Sequence, residues 1–465
     1  MNPVRNQLFQ KNSGSRQRRL ISNGMKVALV HDYINEFGGA ERVLEALCEI
    51  FPEAPIYTAY CKKSSNAYPH FKDRKIIESW AAVIPFFPKL ASPLRFLTPW
   101  IWGSLDLSKY DLVISSASWY ITKGFGSRQN QTQNSKLKTQ NLPMEICYCH
   151  TPPRWLYGYR TSVEWQKYRI IKLYGTIVGH FLRMYDFKSA QKVDHFIANS
   201  QETKKRIKKF YRRDATVIYP PVSLGDDRKW KVEGRTSKME DRSLINPQSS
   251  TLKNQSSTIY HQSSKDYYFI VSRIVGGKGL DLAVEAALKL GLKLKIAGAP
   301  AGYYTEHKKL QKKAHSTSSG QAGKIEFLGH VSDQELAKLY AGAKGFLALS
   351  QDEDFGITPV ESMMAGTPVI AFNGGGYKET VIDPSTGSGQ VATGILFDNY
   401  SVEGLISAIK KFETQRLTQG AFDSKKIKQH AQKFSKERFK KEIRNFAKSV
   451  QSQSAQRSPQ KHRED

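Results

Sequence analysis

Residues 350–372, with the sequence SQDEDFGITPVESMMAGTPVIAF, constrain the fold of this chain more than any other stretch. The apolar runs Gly345–Leu349 and Pro368–Phe372 predict two buried strands, separated by an acidic loop and a short helix. Thr358 is the predicted N-cap of this helix, and Pro359 occupies its predicted first position. Strand, loop, helix and strand form one βαβ step, which predicts a parallel sheet that binds ligands at the carboxyl ends of its strands.

The start of this helix and two nearby glutamates indicate the kind of ligand. A helix start offers backbone N–H groups and the positive end of a dipole, which suit a phosphate. Glu353 and Glu361 bracket that start with seven residues between them. Because carboxylates repel phosphate, we interpret them as groups that hold hydroxyls, so the stretch predicts a sugar-nucleotide site.

Other interpretations of the same acids stay open. Glu361 could be only the capping-box partner of Thr358, and Glu353 could be only a solvated loop acid. Asp352 and Asp354 also form a D-x-D pattern that can chelate a divalent cation, although such a cation needs more ligands than this short loop supplies.

A second loop carries two cations. It is the segment Arg273–Gly279, RIVGGKG, which follows the predicted strand Tyr267–Ser272. The planar guanidinium of Arg273 can grip phosphate oxygens, and Lys278 adds a point charge. We expect the two side chains to clamp a diphosphate opposite the helix start, the alternative being two solvated surface cations. The triple glycine Gly374–Gly376 follows the next strand and indicates either close approach to a ligand or only a turn.

The first half of the chain offers two further candidate sites. Gly38 and Gly39 lie between a predicted first strand and the predicted helix Glu41–Ile50. Such a glycine pair brings backbone N–H groups near a phosphate, or it serves only a tight turn. His150 follows the predicted strand Met144–Cys149, so it lies at a carboxyl end and could donate a hydrogen bond to a sugar or phosphate oxygen. A purely structural role for this histidine is the alternative.

The alternation of strands and helices predicts two α/β domains. A polar, serine-rich stretch separates them, and three glutamine- and serine-rich segments, 126–141, 316–322 and 385–391, are interpreted as surface insertions. The predicted division is a disordered basic leader at 1–24, an N-terminal Rossmann-like acceptor-side domain at 25–222, a polar linker at 223–266, a C-terminal Rossmann-like donor-binding domain at 267–415, C-terminal helices at 416–450 that pack back across the domains, and a disordered tail at 451–465.

Charge and hydropathy limit the partners and the location. The 465 residues contain 71 lysines and arginines against 42 acids, a net charge of +29, which favours nucleic acid, an anionic membrane or a phosphorylated substrate as partner. Four cysteines are too few for a disulfide framework, which fits a cytoplasmic protein. The most apolar segment, Trp80–Trp102, contains four prolines, Lys89 and Arg95. It is therefore not expected to span a bilayer, but it could lie on the inner face of the cell membrane or be buried.

Five segments together resemble glycosyltransferase family 4. They are HDYINEFGGAERV, YCHTPPRWLYG, FIANS, SRIVGGKGLDLAVEA and EDFGITPVESMMAGTPVIAFNGGGYKETV, and the resemblance covers about Met25–Val450 apart from the insertions. It implies the GT-B architecture, an α/β fold of two Rossmann-like, doubly wound domains that face each other across a cleft. Within the family the chain is most similar to bacterial mannosyltransferases of O-antigen and exopolysaccharide assembly.

The resemblance also implies roles for individual residues. Arg273 and Lys278 would bind the donor diphosphate, Glu353 the donor sugar hydroxyls, and Glu361 the ribose. His150 would lie beside the donor sugar and act at the transition state. Backbone groups would approach the donor at Phe355, Gly356, Ile357 and Thr358 and, from the other domain, at Gly38 and Gly39.

The expected function is that of a retaining hexosyltransferase that needs neither a metal nor another cofactor. The expected donor is GDP-mannose, and the expected acceptor is a glycan or a lipid-linked sugar in the synthesis of cell-surface polysaccharide. A UDP-sugar donor is one alternative. A basic protein that binds nucleic acid or another polyanion on an α/β scaffold is another, although the two glutamates beside the anion site count against it.

Overall fold

The structure is a computed structural model. It describes residues 25–126, 142–159, 161, 168–224, 265–274, 277–299, 305–315, 325–386, 391–418 and 421–457. The predicted leader, most of the predicted linker and most of the three predicted insertions lie outside these ranges. The described chain forms two compact units: unit 1 comprises the described residues up to 221 and from 434 onward, and unit 2 comprises the described residues from 222 to 433.

Unit 1 contains a parallel sheet of seven strands in the order β3-β2-β1-β4-β5-β6-β7. Its longer strands are the apolar runs that the sequence predicts, such as VALVH and MEICYC. The short strands β2 and β3 carry no periodicity long enough to detect. The strands are β1 (Val27–His31), β2 (Ile56–Thr58), β3 (Ile76–Glu78), β4 (Leu112–Ala117), β5 (Met144–Cys149), β6 (His195–Ala198) and β7 (Thr216–Val217).

The helices of unit 1 include one from the end of the chain. They are α1 (Gly39–Ile50), α2 (Tyr68–Phe71), α3 (Phe87–Leu90), α4 (Thr98–Gly103), α5 (Arg169–Lys192), α6 (Gln201–Tyr211) and α14 (Lys436–Arg457). The apolar face of α14 joins the core beneath α1 through Phe439 and Ile443. Beside that core, the Nζ of Lys440 lies 3.0 Å from Oε2 of Glu49. The apolar residues of this C-terminal helix are therefore covered by a helix from the start of the chain.

Unit 2 contains a parallel sheet of six strands in the order β10-β9-β8-β11-β12-β13. Its strands are β8 (Tyr267–Val271), β9 (Lys293–Ala297), β10 (Ile325–Gly329), β11 (Gly345–Ala348), β12 (Val369–Phe372) and β13 (Gly394–Phe397). Strand β8 lies directly beside β11. The cationic loop after β8 and the acidic loop after β11 therefore leave the sheet from adjacent strands, at the same carboxyl edge.

The helices of unit 2 follow its strands, as the doubly wound pattern predicts. They are α7 (Leu280–Leu290), α8 (Thr305–His315), α9 (Asp333–Gly342), α10 (Ile357–Met364), α11 (Tyr377–Thr380), α12 (Val402–Leu417) and α13 (Ser424–Ala431). One apolar core, built mainly from the strands, α7 and α12, joins the sheet to its helices.

The prediction that Thr358 caps α10 is wrong. The N-cap is Gly356, with φ of 91°, and the helix begins at Ile357, so Pro359 is its third residue rather than its first. A positive φ is accessible to glycine at little cost, and it lets the chain turn into the helix before the threonine is reached. A Cβ at position 356 would also lie 2.6 Å from Cε1 of Tyr377, so only glycine fits there.

Candidate functional site

Lys278 and Glu353 meet at the carboxyl edge of the unit 2 sheet. The Nζ of Lys278 donates to Oε2 of Glu353 at 3.0 Å, and the two side chains are 27% and 21% exposed. The sequence predicted that the two residues belong to one site, and the structure brings them together. Because both remain partly open to solvent, the ammonium group can also contact an anionic ligand.

The position of Lys278 depends on the glycine that follows it. Gly279 has φ of 70° and caps the start of α7. A Cβ at this position would lie 2.5 Å from the Cβ of Leu349, the residue after β11. The absence of a side chain thus lets the cationic loop lie against the start of the acidic loop, which explains how Lys278 reaches Glu353.

The triple glycine supports the acidic loop from the other side. The N–H of Gly376 donates to the backbone oxygen of Glu353 at 2.9 Å. A Cβ at Gly375 would lie 2.1 Å from that same oxygen, and one at Gly376 would lie 2.4 Å from the Cα of Phe355. These glycines therefore let two stretches of the protein's own backbone approach each other closely. Close approach to a ligand stays a prediction.

Arg273 lies two residues beyond β8, and its side chain is exposed. The next residue, Ile274, donates its N–H to the backbone oxygen of Ala299 at 3.1 Å, so the loop is tied to the end of the neighbouring β9 segment. Residues 275 and 276 lie outside the described part of the chain. The structure therefore places Arg273 at the same edge as Glu353, after an adjacent strand.

The first turn of α10 completes this edge. Phe355 is buried and anchors the loop, Gly356 caps the helix, and Ile357 and Thr358 are its first two residues. The N–H groups of a first helical turn have no acceptor within the helix and suit an anion. The structure thus presents the predicted backbone donors immediately after the loop that carries Glu353.

Glu361 is buried on α10, and its Oε2 accepts a hydrogen bond from the Tyr340 hydroxyl at 2.9 Å. A capping box with Thr358 is excluded, because Thr358 is not the N-cap. Tyr340 lies on α9 and was not predicted as a functional residue. It holds one oxygen of the carboxylate in a fixed direction, whereas the role of Glu361 toward a ribose stays a prediction.

In unit 1, His150 belongs to a hydrogen-bonded chain of buried side chains. Its Nε2 lies 2.9 Å from Oγ of Ser116, and that same hydroxyl lies 3.0 Å from Nδ1 of His31. Ser116 and His31 are at the carboxyl ends of the adjacent strands β4 and β1. His150, which the sequence analysis selected, is thus linked through Ser116 to His31, which the sequence analysis did not select.

The series of hydrogen-bonded side chains continues from His31 to the predicted glycine turn at Gly38 and Gly39. The Nε2 of His31 lies 3.5 Å from Oε1 of Glu41, whose Oε2 accepts from the backbone N–H of Gly38 at 2.9 Å. Gly38 caps α1, which begins at Gly39. His150 and the two glycines are therefore parts of one edge. The signal for His31 was its place at the end of β1, the same criterion that selected His150.

Burial, and then the nearby charge of His31, lowers the pKa of His150 to about 3. The imidazole is therefore neutral near pH 7, so one ring nitrogen carries a proton and the other accepts. A neutral histidine at this position can orient a hydroxyl or an oxygen of a ligand without adding charge.

The part of the chain that the structure describes holds no helix that is long and apolar enough to cross a bilayer. All four cysteines carry free thiols, three of them buried.

Comparison with known proteins agrees with this geometry. The model named "Glycosyltransferase Family 4" matches residues 37–226, and the model named "Glycosyl transferases group 1" matches residues 253–434. The two matches fall on the two sheets in turn and leave β1 and α14 outside them.

Several curated proteins are similar over part of their length. Alpha-1,3/1,6-mannosyltransferase ALG2 of Dictyostelium discoideum is 26% identical over 302 residues, which are 60% of this chain and 63% of that protein. Glycogen synthase of Desulfitobacterium hafniense is 34% identical over 145 residues, 30% of each chain. The lipopolysaccharide core biosynthesis mannosyltransferase LpcC of Rhizobium leguminosarum is 33% identical over 120 residues, 25% of this chain and 34% of that protein. The chain thus spans less than two thirds of these relatives.

Solved structures share the fold over nearly the whole chain. Anabaena HepE, crystallised with UDP and glucose, has a TM-score of 0.60 at 16% identity and covers 91% of this chain and 100% of its own. Sucrose-phosphate synthase from Thermosynechococcus elongatus has a TM-score of 0.61 at 16% identity and covers 92% and 99%. Two parallel α/β sheets and these neighbours confirm the predicted fold class, GT-B, and the two successive matches place residues 37–226 in glycosyltransferase family 4 and residues 253–434 among the glycosyl transferases of group 1.

Proposed function

We propose that this protein is a retaining glycosyltransferase that moves a hexose from a nucleoside diphosphate sugar to an acceptor hydroxyl. The observation that carries the proposal is the 3.0 Å contact between Lys278 and Glu353 at the start of α10. A cation and a helix start suit a diphosphate, while a carboxylate beside them suits the hydroxyls of the attached sugar.

In the proposed reaction the bond between the anomeric carbon and the diphosphate oxygen breaks, and a bond from that carbon to the acceptor oxygen forms on the same face. The acceptor proton passes to the departing diphosphate. Lys278 and Arg273 stabilise the negative charge that develops on the leaving group, which is the main contribution that fixed charges make to such a step. No metal or other cofactor takes part.

The remaining donor contacts are proposed from the positions described above. Glu353 holds the sugar hydroxyls, Glu361 holds the ribose, and the backbone from Phe355 to Thr358 approaches sugar and phosphate. In unit 1, His150 is proposed to act in the reaction as a neutral hydrogen-bonding group. In the glycine turn the N–H of Gly38 is donated to Glu41, so a role as backbone donor to a phosphate is proposed for Gly39.

We propose mannose as the sugar and GDP-mannose as the donor. Two of the similar curated proteins, ALG2 and LpcC, are named mannosyltransferases. A UDP-sugar is the second candidate, because the structural neighbour HepE binds UDP and glucose. The acceptor is proposed to be a glycan or a lipid-linked sugar of cell-surface polysaccharide, used in the cytoplasm at an anionic membrane.

The test is a panel of nucleoside diphosphate sugars, which includes GDP-mannose, GDP-glucose, UDP-glucose and UDP-galactose. Binding is measured by calorimetry, and slow donor hydrolysis by release of the nucleoside diphosphate. GDP-mannose is expected to bind most tightly and to hydrolyse fastest, and the Lys278→Ala variant to lose the hydrolysis. Absence of binding and hydrolysis across the whole panel would refute the proposal, while preference for a UDP-sugar would refute only the assignment of the donor.

A further inference from the structure

Helix α5 presents an apolar face to solvent. The most exposed residue of this face is Ile170, whose side chain is 85% accessible. The side that faces the protein carries Leu182, Asp186 and Ala190, which are buried. Spacings of three and four residues place the outward side chains on one face, opposite the buried one. These exposed residues are Ile170, Leu173, Tyr174, Ile177, Phe181 and Met184.

A second group of exposed apolar side chains lies on the segment 80–100. Its most exposed member is Val83, at 82%. The sequence left open whether this segment is buried, and the structure shows that it is buried only in part. The short helices there keep Ala81, Phe87 and Ile101 in the core. The outward residues are Trp80, Val83, Phe86, Leu90, Phe96 and Trp100.

The two groups are joined. The hydroxyl of Tyr174 on α5 donates to the backbone oxygen of Pro93. The guanidinium of Arg95 lies 5.2 Å from the ring centre of Trp155, and that ring in turn lies against Gly179 on the inner side of α5. The outward face of α5 and the outward residues of 80–100 therefore belong to one region of unit 1, which we call the apolar face.

The charged side chains on the two segments of the apolar face all have one sign. Segments 79–104 and 168–185 contain no aspartate or glutamate, and the one acid of α5, Asp186, is buried against Lys123. The exposed cations include Lys89, Arg169 and Lys172. A second copy of the chain on this face would bring these cations together, whereas an anionic surface would complement them.

We propose that the apolar face docks unit 1 on an anionic lipid bilayer, with α5 parallel to the membrane plane and its outward side chains among the headgroups. Tryptophan, tyrosine and aliphatic side chains flanked by lysine and arginine are the composition of interfacial segments. The proposal deepens the proposed function by naming the surface that meets the membrane, and it rests on that function only for the choice of a lipid-linked acceptor.

The position of the apolar face suits a lipid-linked acceptor. Leu182, on the inner side of α5, packs with Leu156, which follows the His150 loop by a few residues. A bilayer held against the outer side of α5 would therefore lie one helix away from the segment that connects to His150.

The test is co-sedimentation of the full chain with phosphatidylcholine vesicles with and without phosphatidylglycerol. The wild type is expected to bind the anionic vesicles. The double variant Ile177→Glu/Phe181→Glu is expected to bind at least about tenfold more weakly, because it places charge in the inserted face. Leu417→Glu is the matched control, since Leu417 is 81% exposed but lies on α12 of unit 2, and it is expected to bind as the wild type does.

Val83→Glu, on the other segment of the face, gives an independent variant and is also expected to weaken binding. Thermal unfolding verifies that each variant is folded. Wild-type chain that stays in solution with anionic vesicles would overturn the proposal, and so would variants that bind as well as Leu417→Glu. A wild-type dimer in light scattering that Ile177→Glu/Phe181→Glu converts to monomer would assign the face to a second copy instead.

Donor hydrolysis in detergent-free solution separates this proposal from the proposed function. The face variants are expected to keep wild-type hydrolysis, because none of the altered residues belongs to the donor site. Vesicle binding by a chain that neither binds nor hydrolyses any donor of the panel would leave the docking surface in place and refute the enzymatic proposal alone.

Discussion

The Nζ of Lys278 lies 3.0 Å from Oε2 of Glu353, although 75 positions separate the two residues in the chain. The contact joins the loops after β8 and β11, which are adjacent strands of one parallel sheet. It places a cation and an acid side by side at the edge where ligands of such sheets bind.

Loss of the cation should therefore slow the reaction. Lys278→Ala and Arg273→Ala are each expected to lower turnover about 100-fold or more, as does the loss of one group that stabilises developing charge. Steady-state kinetics with the preferred donor measures the effect. The control is Lys293→Ala, because Lys293 pairs with Asp266 at the opposite end of β8 and β9. Near-normal turnover in both site variants would contradict the assignment.

A side chain at Gly375 should disturb Glu353 through the backbone. Gly375→Ala would put a Cβ 2.1 Å from the backbone oxygen of Glu353, so we expect a loss of about 2–4 kcal/mol in unfolding free energy together with reduced turnover. Gly329→Ala is the matched control, because Gly329 also has positive φ, of 65°, but has open space around its Cβ position. That control should cost only about 1 kcal/mol. Chemical denaturation of both variants measures the difference, and equal losses would show that the close contact has no effect.

The hydroxyl of Ser116 should matter for turnover because it bridges His31 and His150. Ser116→Ala is expected to lower kcat by about 2- to 10-fold, the value of one hydrogen bond, with little change in KM for the donor. Ser115→Ala provides the comparison, because the hydroxyl of Ser115, the neighbouring residue, donates to Glu145 rather than to a histidine. If the two variants had the same kcat, the bridge would have only a structural role.

Stability should depend on pH through His150. Burial lowers the pKa of this histidine to about 3, so the folded state keeps it neutral while the unfolded chain takes up a proton below about 6.5. Its contribution is thus fully present above pH 6.5 and is lost as the pH falls toward 3, at about 1.4 kcal/mol per pH unit.

Urea denaturation of the wild type and of His150→Asn at pH 7, 6 and 5 measures this slope. Below pH 6.5 the free energy of unfolding of His150→Asn should fall less steeply with pH than that of the wild type, by about 1.4 kcal/mol per pH unit. His180→Asn is the control, because the imidazole of His180 on α5 is exposed rather than buried. Identical slopes for the wild type and His150→Asn would contradict the buried, neutral histidine.

Chelation of divalent metals should leave turnover intact. In the proposed site Lys278, Arg273 and the start of α10 neutralise the diphosphate, which is the role that a metal fills in other transferases. Turnover is measured before and after dialysis against EDTA, and again with added Mg²⁺. A loss of tenfold or more that Mg²⁺ restores would assign the D-x-D of Asp352 and Asp354 to a metal after all.

Local patterns were sufficient for much of this protein. Apolar runs predicted the long strands of both sheets, and the motif around Glu353 and Glu361 indicated both the βαβ step and the family. Ser200 is the N-cap of α6, and its Oγ accepts a hydrogen bond from the N–H of Thr203 at 3.0 Å. These features depend on residues within one turn or one strand, so the chain encodes them locally.

Tertiary structure decided the rest. Helix α10 begins at Ile357, directly after its cap Gly356, because Tyr377 packs against that position and glycine accepts a positive φ. His31 joins His150 because β1 and β5 both flank β4, a neighbourhood that sequence order does not reveal. On α5 the sequence shows apolar residues on more than one side, but only packing determines which side is buried and which faces solvent. Each of these outcomes is set by contacts between residues far apart in the chain, and their free energy is not a property of any local segment.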